Sequence, residues 1–320
     1  MILDSKLSKR EIIVLDGAIG SEIARLGGVM DAAAWCGVAN KTHPEVVRRV
    51  HEEYIRAGVD VVTANTFATC RHVLAGAGLA DEAVSITARA VELAREAVNE
   101  VAPGRPVAVA GSMSNNVAWI PGTVSPDPRF LPTRAEEAAN YREMAEALAA
   151  AGVDLILMEM MSDIDHASLV TAAAVETGLP VWIGVSCSLL ADGSAGAWDM
   201  HTEEPADRLA TDHAKPEIKP LAPVIDALMS FEPQVMGTMH STVDAMGAGL
   251  EVLFQHWRGP VMAYPEAAAG HAVEPAAFAA YCRDWVEGGV QIIGGCCGTT
   301  IEHIDAMVGE LPDAIGARPA

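Results

Sequence analysis

A chain of 320 residues with 51% hydrophobic content can bury a large core, and its net charge of −22, with a pI near 4.7, argues against a nucleic-acid or anionic-membrane partner. No run is apolar for long enough to span a bilayer, and the opening MILDSKLSKREIIVLDG lacks the apolar stretch of a signal peptide. Six cysteines without scaffold spacing point to a reducing, cytoplasmic location.

In chain order, short Val- and Ile-rich runs alternate with helical patterns. The expected strands are 12–16, 59–65, 106–111, 153–159, 180–186, 234–240, 260–264 and 290–295. Between them, 44–57, 81–98, 134–151 and 276–287 carry apolar residues at three- and four-residue spacing. Gly58, Gly152, Gly178 and Gly289 suit helix C-termini. Eight βα units in one chain predict a single domain, residues 1–320, folded as a (β/α)8 TIM barrel with its chemistry on the loops after the strands. A doubly wound open sheet is the alternative, but no G-x-G-x-x-G follows the first strand. The segment from Leu189 to about Pro220, holding His201, His213 and the Asp192-Gly193 turn, lacks periodicity and reads as a lid, a binding loop or a plain insertion.

The most informative stretch is Val290–Thr300, where a strand-like run ends in the adjacent Cys296 and Cys297 wrapped by Gly294, Gly295 and Gly298. Neighbouring side chains on a regular strand point to opposite faces, so two thiols converge only if the chain bends there, as the glycines allow. Thr299 or Thr300 then caps a helix with the apolar stripe Ile301, Ile304 and Met307, whose partial positive charge favours thiolates. A soft metal, zinc, is the expected occupant. His240, at the end of the sixth strand, is the expected third ligand, with Cys187 at the end of the fifth as its alternative. The ordinary reading of a lone buried cysteine is a small core residue. Three protein ligands leave one position open, as in catalytic zinc sites.

The other strand ends offer Asp16, Asn65, Ser112, Glu159 and Tyr264. A turn former and a helix-start residue are the ordinary readings of Asp16 and Glu159. As catalytic groups, they would hold the ammonium group of an amino-acid thiol, which zinc would favour as its thiolate.

Taken together, these residues resemble the homocysteine S-methyltransferase family over nearly the whole chain. The resemblance rests on Leu15-Asp16-Gly17-Ala18-Ile19-Gly20-Ser21-Glu22, the helix from His43-Pro44-Glu45 to His51, and Ala57-Gly58-Val59-Asp60 with Thr63-Ala64-Asn65-Thr66-Phe67. It continues through Ala110-Gly111-Ser112, Gly152-Val153-Asp154 with Glu159, and Tyr264-Pro265 to the specific element Gly294-Gly295-Cys296-Cys297-Gly298-Thr299. It implies zinc on the two cysteines, and homocysteine held by Asp16 and Glu159. The partners are then a small thiol and a sulfonium or quaternary ammonium methyl donor, in methionine biosynthesis. Asn65, Ser112, Trp35, Phe67 and Tyr264 are candidate substrate contacts, the aromatic ones facing the donor cation.

One departure stands out. Members of the family close the sixth strand with Gly-x-Asn-Cys, whereas this chain has Gly237-Thr238-Met239-His240. An imidazole in place of a thiolate changes the formal charge of the zinc centre from −1 to 0. Met160 also stands where the family has Thr, and Met113-Ser114-Asn115-Asn116 replaces a Gly-Pro-type turn. A different thiol, a decayed site and a zinc hydrolase are the competing functions, although the chain has no His-x-His, a feature common in barrel zinc hydrolases. The sequence leaves a homo-oligomer open.

Overall fold

The fold was analysed as a computed structural model that describes residues 3–123, 126–198, 218–267 and 272–318. Its strands are β1 (Ile13–Val14), β2 (Val61–Ala64), β3 (Ala108–Ser114), β4 (Leu155–Met161), β5 (Val181–Ser186), β6 (Ser188–Leu189), β7 (Ala195–Trp198), β8 (Ile218–Pro220), β9 (Val235–Met239), β10 (Val261–Tyr264) and β11 (Ile292–Ile293). Eight of them form one parallel sheet in the order β2-β3-β4-β5-β9-β10-β11-β1. A parallel bridge between Leu15 and Val61 joins its two ends into the expected (β/α)8 ring. The antiparallel set β6-β7-β8, unforeseen in the sequence, lies between β5 and the helix Ala222–Met229. His201 and His213 fall outside the described residues, as does most of the anticipated lid.

The outer helices start and stop for local reasons. Pro44 pre-sets the first turn of the helix Pro44–Ala57, and Gly58 ends it at a φ of 104°. Thr133 and Glu136 form a capping box for the helix Arg134–Ala151, which Gly152 ends at 83°.

Alternation along the strands sorts two cores. Ile13, Leu15, Val61, Leu155, Leu157, Trp182 and Ile292 fill the barrel interior, while Val14, Val62, Val109, Ile156 and Ile183 pack outward under the helices. Each large apolar side chain fully buried here contributes about 1.5–3 kcal/mol.

At the end where the strands begin, Leu3 and the short helix Asp4–Ser8 close the interior. The Gln291 amide donates to the carbonyls of Lys6, Leu7 and Glu11 at 3.1, 3.2 and 3.1 Å. Trp182 Nε1 donates to Gln234 Oε1 at 2.8 Å, and the Gln234 amide reaches Asp4 at 3.2 Å. With that end plugged, the polar groups of the interior collect at the opposite mouth.

Candidate metal and thiol site

β11 leaves its regular path at Gly294. A Cβ there would lie 2.6 Å from that of Leu15, so the close approach of the first and last strands requires glycine. Gly295 N–H donates to the Asp16 carbonyl at 3.0 Å, and Gly298 turns the chain at a φ of 78°. Thr299 fastens this turn: its hydroxyl donates to Cys296 O at 2.7 Å and accepts Ala18 N–H at 3.0 Å. Thr300 is therefore the residue left to cap the helix Ile301–Glu310. The bend brings both thiols to one place.

On the neighbouring wall, His240 follows β9 in a left-handed backbone with a φ of 44°, a conformation uncommon for a non-glycine residue. Its Nδ1 lies 3.3 Å from Cys297 Sγ and 3.6 Å from Cys296 Sγ, and the two sulfurs are 4.0 Å apart. Both thiols are free, and a disulfide would need a separation of about 2.05 Å. Tetrahedral zinc, with bonds of about 2.3 Å to sulfur and 2.05 Å to nitrogen, spaces its ligands at about 3.8 Å for S···S and 3.6 Å for S···N. The triangle matches those edges. Among the described residues, His240, Cys296 and Cys297 are the group able to hold a metal ion. Cys187 stands apart, its thiol buried at 3.3 Å from both Ser241 Oγ and the Ala245 carbonyl, against the helix Val243–His256.

Charge in the triangle is already arranged for a cation. The Cys296 thiol bonded to Cys297 holds the Cys297 pKa well below the usual thiol range, with His240 adding to the effect, while the same bond pushes Cys296 up. Burial works against a charged His240, but the adjacent Cys297 outweighs it and raises the imidazole to about 9. A proton thus sits where a soft dication would compete for the same lone pairs.

Beside the triangle lie two carboxylates. Asp16 Oδ2 accepts Thr63 N–H at 2.6 Å, and Oδ1 accepts the Thr63 hydroxyl at 2.8 Å. Glu159 accepts a short hydrogen bond from the Ser112 hydroxyl on the adjacent β3. Burial raises both carboxyl groups to about 7, and Asp16 adds to the shift on Glu159 by like-charge repulsion. Two carboxylates held so far above their ordinary range form a pocket that a cationic ligand would stabilise. Two further buried atoms have no hydrogen-bond partner among the described residues, Tyr264 Oη and Asn65 Oδ1. The Asn65 amide nitrogen, by contrast, is committed to Cys36 O at 2.9 Å and Asn40 Oδ1 at 3.0 Å.

Phe67 packs on the top of the interior cluster, as does Cys296. Trp35 meets Phe67 edge-on at 5.7 Å and leans on Trp119 at 6.5 Å, so an aromatic wall starts at the barrel mouth. The sequence reading missed Trp119, which sits in a loop without periodicity. It also missed Thr63, which the alternation Val61, Thr63, Asn65 could have revealed. A third omission is Glu266, two residues past Tyr264, whose Oε2 lies 3.9 Å from His240 Nδ1.

The model of one protein family, described as homocysteine S-methyltransferase, matches residues 13–311. The chain belongs to the homocysteine S-methyltransferase family. Betaine–homocysteine S-methyltransferase 1 of Danio rerio is 27% identical, covering 98% of this chain and 76% of the relative. Homocysteine S-methyltransferase of Escherichia coli K12 is also 27% identical, over 95% of this chain and 97% of the relative. The crystal structure of the E. coli homocysteine methyltransferase MmuM in a metallated form shares the fold, with a TM-score of 0.72 and 22% identity across 97% of this chain and 99% of that one. The protein is accordingly a methyltransferase.

Proposed function

We propose that this methyltransferase moves a methyl group from a sulfonium or quaternary ammonium donor to the thiol of homocysteine, with zinc held by His240, Cys296 and Cys297. The observation that carries the reading is the triangle of two sulfurs and one nitrogen at tetrahedral spacing, next to two carboxylates that lack ordinary acidity. Bound there, zinc would supply the Lewis acidity that lets a substrate thiol lose its proton near neutral pH.

The chain's own residues do the remaining work. Asp16 and Glu159 receive the acceptor's ammonium group, their ionisation restored by the charge they bind. Thr63 and Ser112 fix the two carboxylates in place. The unpartnered Tyr264 hydroxyl and Asn65 carbonyl offer further contacts to a polar amino acid. Trp35, Phe67 and Trp119, in mutual contact at the mouth, would offer π-faces to an onium group. In the transfer, an S–CH3 bond forms as the donor's onium–CH3 bond breaks; the donor leaves neutral at that centre and the acceptor's proton has already gone to solvent. Holding both partners in line supplies much of the rate. The role fits methionine formation in the cytoplasm.

The decisive experiment measures metal content and methyl transfer together. Purified protein should carry about one zinc and convert homocysteine with at least one member of a panel of onium donors. His240→Ala should release the metal and abolish transfer while the far-ultraviolet spectrum stays that of a folded barrel. Zinc-loaded protein that consumes no thiol with any donor would sink the proposal.

A further inference from the structure

The loop after β10 is built into both ligand-bearing loops. Cys296 N–H donates to Pro265 O at 2.8 Å, Ala267 N–H to Cys297 O at 2.8 Å, and Glu266 N–H to Ser241 O at 3.0 Å. Pro265, Glu266 and Ala267 therefore form a strap fixed on one side to the cysteine pair and on the other to the residue next to His240. This strap delivers the Glu266 carboxylate to 3.9 Å from His240 Nδ1, with both side chains only about one-fifth exposed.

The separation is too long for a hydrogen bond, and Glu266 does not join the group whose ligand atoms lie mutually close. Its influence is that of a nearby charge. Two thiolates and a neutral imidazole leave a zinc dication with no net charge, one negative unit short of the three-thiolate set the family carries at this strand end. The geometry points to Glu266 as the residue that supplies this missing negative charge from outside the ligand set, on the same Nδ1 side of the imidazole that faces the two sulfurs. This assignment rests on the proposed zinc site. The backbone bonds fix the main chain of Glu266 beside the centre, and its side chain is only about one-fifth exposed. A carboxylate at that distance acts on the dication through space, and removing one unit of charge beside a partly buried metal site should weaken metal binding by about 10–100-fold.

The test is a cycle of four proteins: wild type, Glu266→Gln, His240→Cys and the double variant. Zinc affinity is read by competition with a chromophoric chelator at fixed pH, and the ligand field by the visible spectrum after cobalt substitution. Loss of the nearby charge in Glu266→Gln should weaken zinc by about 10–100-fold in the wild-type background. With Cys at 240, the third thiolate already provides the charge, so adding Glu266→Gln should leave zinc binding unchanged or tighten it. The thermal midpoint should not move with Glu266→Gln, because Gln keeps the strap's backbone bonds. Equal affinity in wild type and Glu266→Gln would overturn the assignment, as would the same loss in both backgrounds, which would mark a general effect of the strap. Wild-type protein that takes up no zinc would overturn both this assignment and the function it rests on.

Discussion

The two ends of the barrel are built by opposite rules. Where the strands begin, Leu3 seals the interior, and the Gln291 and Gln234 amides find hydrogen-bond partners. Where they end, Trp35, Met160 and His240 hold positive φ angles of 47°, 62° and 44°, Tyr264 Oη and Asn65 Oδ1 are left over, and two acids are buried. Met160 accompanies a register shift in β4, and its N–H meets the Met239 sulfur at 3.1 Å instead of a ladder carbonyl. Such unmet requirements are expected where a ligand completes the structure. One end satisfies its polar groups internally, and the other leaves polar and acidic groups for a ligand to satisfy.

That contrast can be broken by substitution. At the mouth, Glu159→Gln keeps an acceptor for Ser112 but removes the charge that would bind an ammonium group. The KM for an amino-acid thiol should rise on the order of 30-fold, the scale of a charged hydrogen bond. Its folded-state pKa of about 7 lies above the ordinary 4.5, so ionising Glu159 in the fold costs stability as pH rises between those values. The variant should therefore melt above wild type at pH 8 and level with it at pH 4, below both values. A loss of stability at pH 8 would contradict the contrast. In the wild type, the KM should climb as pH falls below 7 and both acids become neutral.

At the plugged end, Gln291→Ala should cost about 2 kcal/mol of stability by removing two N–H donors shared among three carbonyls, with KM and kcat unchanged at a temperature where the variant stays folded. A change in kcat would show that the two ends are coupled.

His51 sharpens the picture from the helical layer. Both of its ring nitrogens are buried without a partner among the described residues, and burial lowers its pKa to about 4. The unfolded chain then binds the extra proton between about 6.5 and 4, so stability is lost as pH falls through that window. His51 should account for about 2 kcal/mol of the loss between pH 7.5 and 5. Urea unfolding of His51→Leu should show a correspondingly shallower acid dependence.

Much of the fold was legible because hydrophobic periodicity records burial directly. All eight barrel strands fall inside the expected runs or overlap them closely, and the helices Pro44–Ala57 and Arg134–Ala151 match to the residue. Short elements such as Ile19–Arg25 and the β6-β7-β8 set were not legible, since one or two turns leave no periodic trace. In the candidate site, reading the strand ends brought together Asp16, Glu159, His240 and the cysteines. Residues fixed by loop geometry, such as Trp119 and Glu266, were hidden because a loop's path is written in tertiary contacts.

The seam of the ring, where Gly294 lies against Leu15 and Ala18 bonds Thr299 across 281 positions of sequence, has a consequence for biosynthesis. Asp16 leaves the ribosome among the first residues of the domain and the vicinal thiols among the last, so the acidic half of the pocket waits for its sulfur half until translation has passed β11. On the proposed function, methyl-transfer competence is tied to ring closure, so a chain truncated before β11 should show neither zinc uptake nor transfer.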